Sequence, residues 1–271
     1  MRVAARRLFA LSSRRSDLGI RISRYLKIIG ASAILTFVLT SCNTTVVVNL
    51  PDNHIQYVPS DSAKMNFLPD ATDYAIGHLQ ATSSPDTANV FIADSILNIS
   101  LYPLACLYDK RHQIPLLDTP IVQRHIHKEA IYCEGLELEL DTSFVWVQNI
   151  KNGVSPTGDT VVDSIVQLCH LQFHYIFVLN NGNAFVTATN PPLNTYAIAQ
   201  VFRSITGVTS ATQAVTIHPF SKLAIIFSPT ETTIRLYYGY GDCLLGCFGY
   251  DRWTFAVSKN FEVTYQGYLH Q

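Results

Sequence analysis

The chain lacks the short motifs that most often mark an enzyme. There is no G-x-S-x-G, no G-x-x-x-x-G-K-[ST], no H-E-x-x-H and no G-x-G-x-x-G opening a helix. That excludes the usual nucleophile elbow, phosphate loop, zinc-protease helix and dinucleotide fingerprint. No period of 20–50 residues recurs, which argues against a solenoid or propeller. Lys and Glu are scarce beside Val, Ile, Thr, Tyr and Phe, a balance that favours strands over helices. The charge-free apolar run at 28–40 holds 13 residues, short of the ~20 that span a hydrocarbon core, and so argues against a stable transmembrane helix.

That short run is nonetheless informative. Residues 1–27 before it carry eight basic side chains and one acid, Asp17, and Leu39-Thr40-Ser41-Cys42 closes it. A basic segment, a short apolar segment and small residues before a cleavage point make a secretory signal. The positive end stays in the cytoplasm while the apolar run enters the bilayer. Leu39-Thr40-Ser41-Cys42 resembles the lipobox of bacterial lipoproteins. The resemblance implies cleavage between Ser41 and Cys42, a thioether from Cys42 to diacylglycerol, and acylation of the new amine. Several acyl chains, at ~0.8 kcal/mol per buried CH₂, hold where one chain would be marginal. Asn43 is not the Asp that retains lipoproteins at the inner membrane of some enteric bacteria, which leans toward the outer membrane. The alternative is an uncleaved signal anchor or a buried segment ending in an ordinary Cys.

Of 19 basic and 20 acidic residues, eight and one precede Cys42, leaving 11 and 19, a net of −8. An acidic surface argues against nucleic acid and against adhesion to anionic lipid through charge. The 230 residues from Cys42 onward suffice for one large or two small domains. The expected organisation is a signal peptide at 1–41, a lipid-anchored tether at 42–71, a β-rich N-terminal half at 72–150 and an α+β C-terminal domain at 160–271. The loop KNGVSPTGD at 151–159 stands between the halves.

Turn chemistry at Ser60-Asp61-Ser62 and Pro69-Asp70 fits a tether, and residues 74–84 suit a short helix. Residues 90–92, 96–101, 136–140 and 144–147 read as strands. A strand from Leu171, the turn Asn180-Asn181-Gly182-Asn183 and a strand at 184–189 read as a hairpin. Asn194 or Thr195 caps a helix whose Tyr196, Ala197, Val201, Phe202 and Ile205 share a face, with Gly207 at its end. Further strands are expected at 214–217, 223–227, 232–238, 253–257 and 261–266, with a turn at Lys259-Asn260. The fold class is α+β, predominantly antiparallel β, with one clear helix packed on the C-terminal sheet.

Five cysteines remain beside Cys42, an odd number in an oxidising compartment, so at least one thiol is left over, buried and inert. Cys243 and Cys247 are close enough to close a small loop as a disulfide between two strands, while Gly239, Gly241 and Gly246 permit tight turns. A free thiol pair is the alternative, and no second pair at zinc-site spacing accompanies it. The run Tyr238-Gly239-Tyr240-Gly241-Asp242-Cys243-Leu244-Leu245-Gly246-Cys247, with Trp253-Thr254-Phe255 after it, resembles the close of a group of uncharacterised bacterial secreted and lipoprotein domains. That resemblance implies no activity.

His125-x-His127 is a candidate metal pair, with His112, Glu129 and Cys133 near in sequence; two solvated loop histidines are the plainer reading. Cys169 is a candidate nucleophile, although on a strand it and His170 would face opposite sides, and His174 follows. Tyr237, Tyr238, Tyr240, Phe248, Tyr250, Trp253 and Phe255 form either an exposed platform for carbohydrate or peptide or the aromatic core of a small sheet. No cofactor is called for. The leading expectation is a non-catalytic, membrane-anchored envelope lipoprotein that binds or scaffolds, its partners being the membrane and an envelope protein or glycan, facing periplasm or exterior. The alternatives are an envelope hydrolase or metal-dependent enzyme using these His and Cys residues, and an assembly module pairing through a sheet edge.

Overall fold

The computed structural model describes residues 57–178, 181–188, 192–243 and 246–271, with backbone alone at 175–178 and 181–188. The expected signal peptide at 1–41 and the lipidation expected at Cys42 fall outside the described residues. None of the described helices is long and apolar enough to cross a membrane.

Helix α1, Asp61–Ala81, begins where the sequence suggested a tether. The Ser60 hydroxyl accepts from the Ala63 amide at 3.1 Å, so the Ser-Asp-Ser cluster is a helix cap rather than a turn. Ala63, Phe67, Ala71, Ala75 and Leu79 recur every four residues and are all buried. After a 3₁₀ turn at Pro85–Ala88 comes helix α2, Asp94–Lys110, across the strand expected at 96–101. Here Leu97, Leu101, Leu104 and Leu107 form a buried stripe, and that 3.6-residue period outweighs the β-branched Ile96 and Ile99. Asp109 ties the two helices. It accepts from Tyr57 Oη at 2.5 Å, Ser60 Oγ at 2.5 Å and the Ser60 amide at 3.0 Å.

A 3₁₀ turn at Pro115–Leu117 and a π-helical turn at Asp118–Gln123 lead to β1, Ala130–Ile131, and β2, Gly135–Leu140. The strand expected at 144–147 is instead the start of helix α3, Val145–Lys151. It buries Trp146, Val147 and Ile150, the Trp146 Nε1 donating to the Thr206 carbonyl at 3.1 Å. Helix α4, Thr160–Cys169, follows; the Asp159 carboxylate caps it by accepting from the Val161 and Val162 amides. Then come β3, Leu171–Val178, and β4, Asn181–Ala188, paired antiparallel with Leu171 opposite Ala188 and Val178 opposite Asn181. The hairpin is present, but its turn lies earlier than expected, because Asn181, Gly182 and Asn183 are already in β4; residues 179–180 lie outside the described residues.

Helix α5, Thr195–Arg203, is capped by the Asn194 side chain, which accepts from the Ala197 amide at 3.2 Å. The chain closes with β5, Val208–Gln213, β6, Thr216–Ile217, β7, Ser221–Phe227, β8, Glu231–Tyr240, β9, Gly249–Ser258, and β10, Val263–His270.

The fold is α+β with antiparallel sheets. One sheet runs β3-β4-β2-β5, a second is the meander β10-β9-β8-β7, and β1 pairs with β6. Helix α5 packs on the first sheet: Phe202 meets Phe173 edge-on at 6.4 Å, and Arg203 Nε donates to the Ala211 carbonyl at 2.7 Å. The meander carries α1 and α2. Phe67, Leu104 and Leu107 share one core with Leu223, Ile234, Leu236, Trp253, Phe255 and Val257. Tyr74 Oη donates to the Leu223 carbonyl at 2.8 Å and accepts from the Ile225 amide at 3.1 Å. The loop at 151–159 joins α3 to α4, and β2, which precedes it, is hydrogen-bonded on both sides to strands that follow it. Residues from before and after that loop therefore share one sheet and one core.

Candidate functional site

Among the described residues, two clusters of polar side chains depart from an ordinary core. The first lies under α1. Asp70 and Asp73, three residues apart on the helix, are 0% and 6% exposed. Burying two carboxylates is costly unless each is paired and hydrogen-bonded, and the segment 127–133 supplies what they need. His127 Nδ1 donates to Asp70 Oδ2 at 2.7 Å and the Lys128 amide to Asp70 Oδ1 at 2.6 Å. Lys128 Nζ reaches Asp73 Oδ2, and the Tyr132 amide donates to Asp73 Oδ1 at 2.9 Å. Burial disfavours the His127 imidazolium, but the hydrogen bond and charge of Asp70, with Glu134 beyond, outweigh it and raise the pKa above the usual 6.5. The imidazole sits against the rings of Phe67 and His218, at 5.9 and 5.6 Å between centroids.

This arrangement orients an imidazole as an acid–base dyad does. Every bond in it, however, joins α1 to the 127–133 segment, which is the work of a structural clip. Cys133 belongs to the same joint: Sγ donates to the Pro69 carbonyl at 3.1 Å. Burial, with the charges of Asp73, Glu134 and Asp70, pushes its thiol far up. Cys106 donates to the Phe261 carbonyl at 3.2 Å, and burial raises its pKa to about 11. Thiols shifted that way hold little thiolate at neutral pH and are poor nucleophiles.

The second cluster lies at one end of the meander. Tyr238, Asp251 and His270 stand opposite one another across β8, β9 and β10. His270 Nδ1 meets Asp251 Oδ1 at 2.7 Å, and Tyr268 Oη donates to the same oxygen at 2.6 Å. Tyr240 lies parallel to His270, centroids 5.4 Å apart with 10° between planes, and its hydroxyl donates to the Gln271 carbonyl at 2.6 Å. The Arg124 guanidinium covers the Tyr238 ring at 4.4 Å, and Phe220 stacks on Tyr238 at 6.3 Å. Partial burial favours the neutral Asp251. The hydrogen bonds from His270 and Tyr268 and the charges of His270 and Arg124 overcome it and hold the carboxyl below its usual range.

Beside this end sits the Cys243–Cys247 disulfide. It closes the connection between β8 and β9 rather than bridging two strands. A Cβ on Gly239 would fall 2.1 Å from Cys247 Sγ, so only glycine lets the disulfide lie against β8 there.

The two histidines weighed as a candidate metal pair part company. His125 is exposed with φ +46°, while His127 turns to Asp70. Among the described residues, no three His, Cys, Asp or Glu side chains converge to hold a metal ion. Cys169 is buried as the last residue of α4, and His170 is its left-handed cap at φ +50°; neither lies on the strand the sequence suggested. The aromatic run divides between both readings. Trp253 and Phe255 are core, whereas Tyr240 is partly exposed and Phe248 is 84% exposed. Sequence reasoning passed over Asp70, Asp73, Lys128, Asp251 and His270. The acid pair had a signal, two acids three apart within an apolar four-residue repeat; Asp251 and His270 meet only through strand register. Comparison of the chain with protein-family models, with characterised proteins and with solved structures finds no match.

Proposed function

We propose that the chain is an exported lipoprotein, tethered to a bacterial envelope membrane through lipid on Cys42, whose folded part binds or scaffolds rather than catalyses. The observation that carries the reading is Leu39-Thr40-Ser41-Cys42 at the end of a charge-free run with a basic segment before it. The fold supports the non-catalytic half of the reading. The acids, imidazole and ammonium of the α1 cluster are bonded to one another, and the Cys106 and Cys133 thiols are bonded to carbonyls. Mass spectrometry of the mature N-terminus from membranes, beside a Cys42→Ala variant, tests it. A lipidated Cys42 is the expected terminus; an intact leader or an unmodified soluble chain would sink the anchor.

The assembly reading keeps one observation in its favour. Strand β10 is the edge of its sheet, and its sequence, VTYQGYLH, contains no Lys, Arg, Asp or Glu to discourage pairing. Molecular mass measured across a concentration series tests it: a mass that doubles supports pairing, and a constant monomer removes it.

A further inference from the structure

We infer that the solvent-facing end of the meander, around Tyr240, His270, Asp251 and Tyr268, is a binding site for a neutral carbohydrate chain. The inference rests on the reading of the folded part as a binding module and names the chemical class that it binds.

Geometry comes first. Tyr238, Asp251 and His270 occupy one cross-strand row, and strand spacing makes that row roughly 10 Å long. Tyr240, two residues beyond Tyr238, lies on the same face. Its ring rests where Gly249 has no side chain: a Cβ on Gly249 would come 2.3 Å from Tyr240 Oη. The glycine thus lets the tyrosine lie flat against His270. Exposure follows the same pattern, with the His270 side chain 64% exposed and Tyr268 51% exposed. The result is a shallow, solvent-facing row of ring faces with a carboxylate set among them.

Chemistry then selects the ligand. A cation would compete with Arg124, which already lies over Tyr238. An anion would meet Asp251, held ionised. A purely apolar ligand would strip water from that carboxylate without returning a hydrogen bond. A neutral sugar presents both chemistries at once, a C–H face to lie on a ring and hydroxyls at its rim. The Tyr240–His270 pair and Tyr268 offer ring faces. Both bonds to Asp251 fall on Oδ1, which leaves Oδ2 to accept from a sugar hydroxyl.

Calorimetry on the purified full-length chain tests this, with cellohexaose, maltohexaose and chitohexaose as probes. At least one is expected to bind. Tyr240→Ala and Asp251→Ala each weaken it about tenfold or more. Tyr240→Phe, which keeps the ring face, retains most of the affinity, and Phe227→Ala, away from the row, leaves binding unchanged. Circular dichroism checks that each variant is folded, and His270→Ala, on the exposed edge, replaces Tyr240→Ala if the latter does not fold. Failure of all three probes to bind, or binding that survives every substitution in the row, overturns the inference. The underlying reading fails differently. Cleavage of a bound probe would overturn its non-catalytic half, and an unlipidated Cys42 its anchor, while the site itself would stand.

Discussion

Asp70 has no exposed side-chain surface, and it is the residue on which the joint between α1 and the 127–133 segment turns. Replacing it with Ala would leave the Lys128 amide unbonded and His127 without its partner. Losing one partner of a buried pair costs about 3–5 kcal/mol, and His127 can shed its proton, so a loss near the lower end, about 3 kcal/mol, is expected in chemical denaturation. The pair also fixes a pH dependence. A histidine whose folded pKa is raised contributes stability that is fully present below about pH 6.5 and is lost as pH rises through the raised value. Wild-type unfolding free energy should therefore fall across that window, and His127→Gln should flatten the fall; an identical slope in both would remove His127 as its source. At Gly239 the prediction is steric. Gly239→Ala places a methyl against Cys247 Sγ, so the strand or the disulfide must shift, at about 1–3 kcal/mol. Thermal melts of the oxidised protein check the cost.

Among elements, legibility followed local signals. The residue alternation in β7, β8 and β9 and the cap and single apolar face of α5 lie within a few residues, and each of these elements was readable. Only the end of α1, within the short helix expected at 74–84, was legible and α2 was not, because Pro69 and Pro103 stand inside these helices and Asp70 and Asp73 occupy the apolar face of α1. A buried acid reads as a surface residue until its partner is known, and His127 lies 57 residues from Asp70. The same distance problem hid the Asp251–His270 pair, which only the β9–β10 register brings together. The coupling of α1 to α2 through Asp109 yields its own prediction. Burial opposes ionisation there, but the Ser60 and Tyr57 bonds and the Arg111 charge depress the Asp109 pKa. Its contribution is present above about pH 4 and is lost as pH falls through the depressed value. Asp109→Asn should cost about 1–2 kcal/mol near neutrality and make unfolding less sensitive to acid, as read from denaturation curves at several pH values.

On the scale of the whole molecule, the chain is interleaved. Strand β2 sits between β4 and β5, and α1 and α2 share their core with the meander. A chain cut in the loop at 151–159 should give two fragments that each lack a cooperative thermal transition, because each would expose half a core and unpaired strand edges. Mixing the fragments should restore a transition by circular dichroism; a fragment that melts cooperatively alone would show a separable domain.

The shared core also sets an order in time. The faces of α1 and α2 that hold Phe67, Leu104 and Leu107 close against strands that leave the ribosome only after β1 to β6 have been made. If the chain crosses a membrane amino end first, as a leader would carry it, the helices emerge with their apolar faces uncovered and must wait for the meander. Until β9 delivers Trp253 and Phe255, a holding factor has a target and a protease has a substrate, so the interval between the helices and that hairpin is when the protein is most open to either.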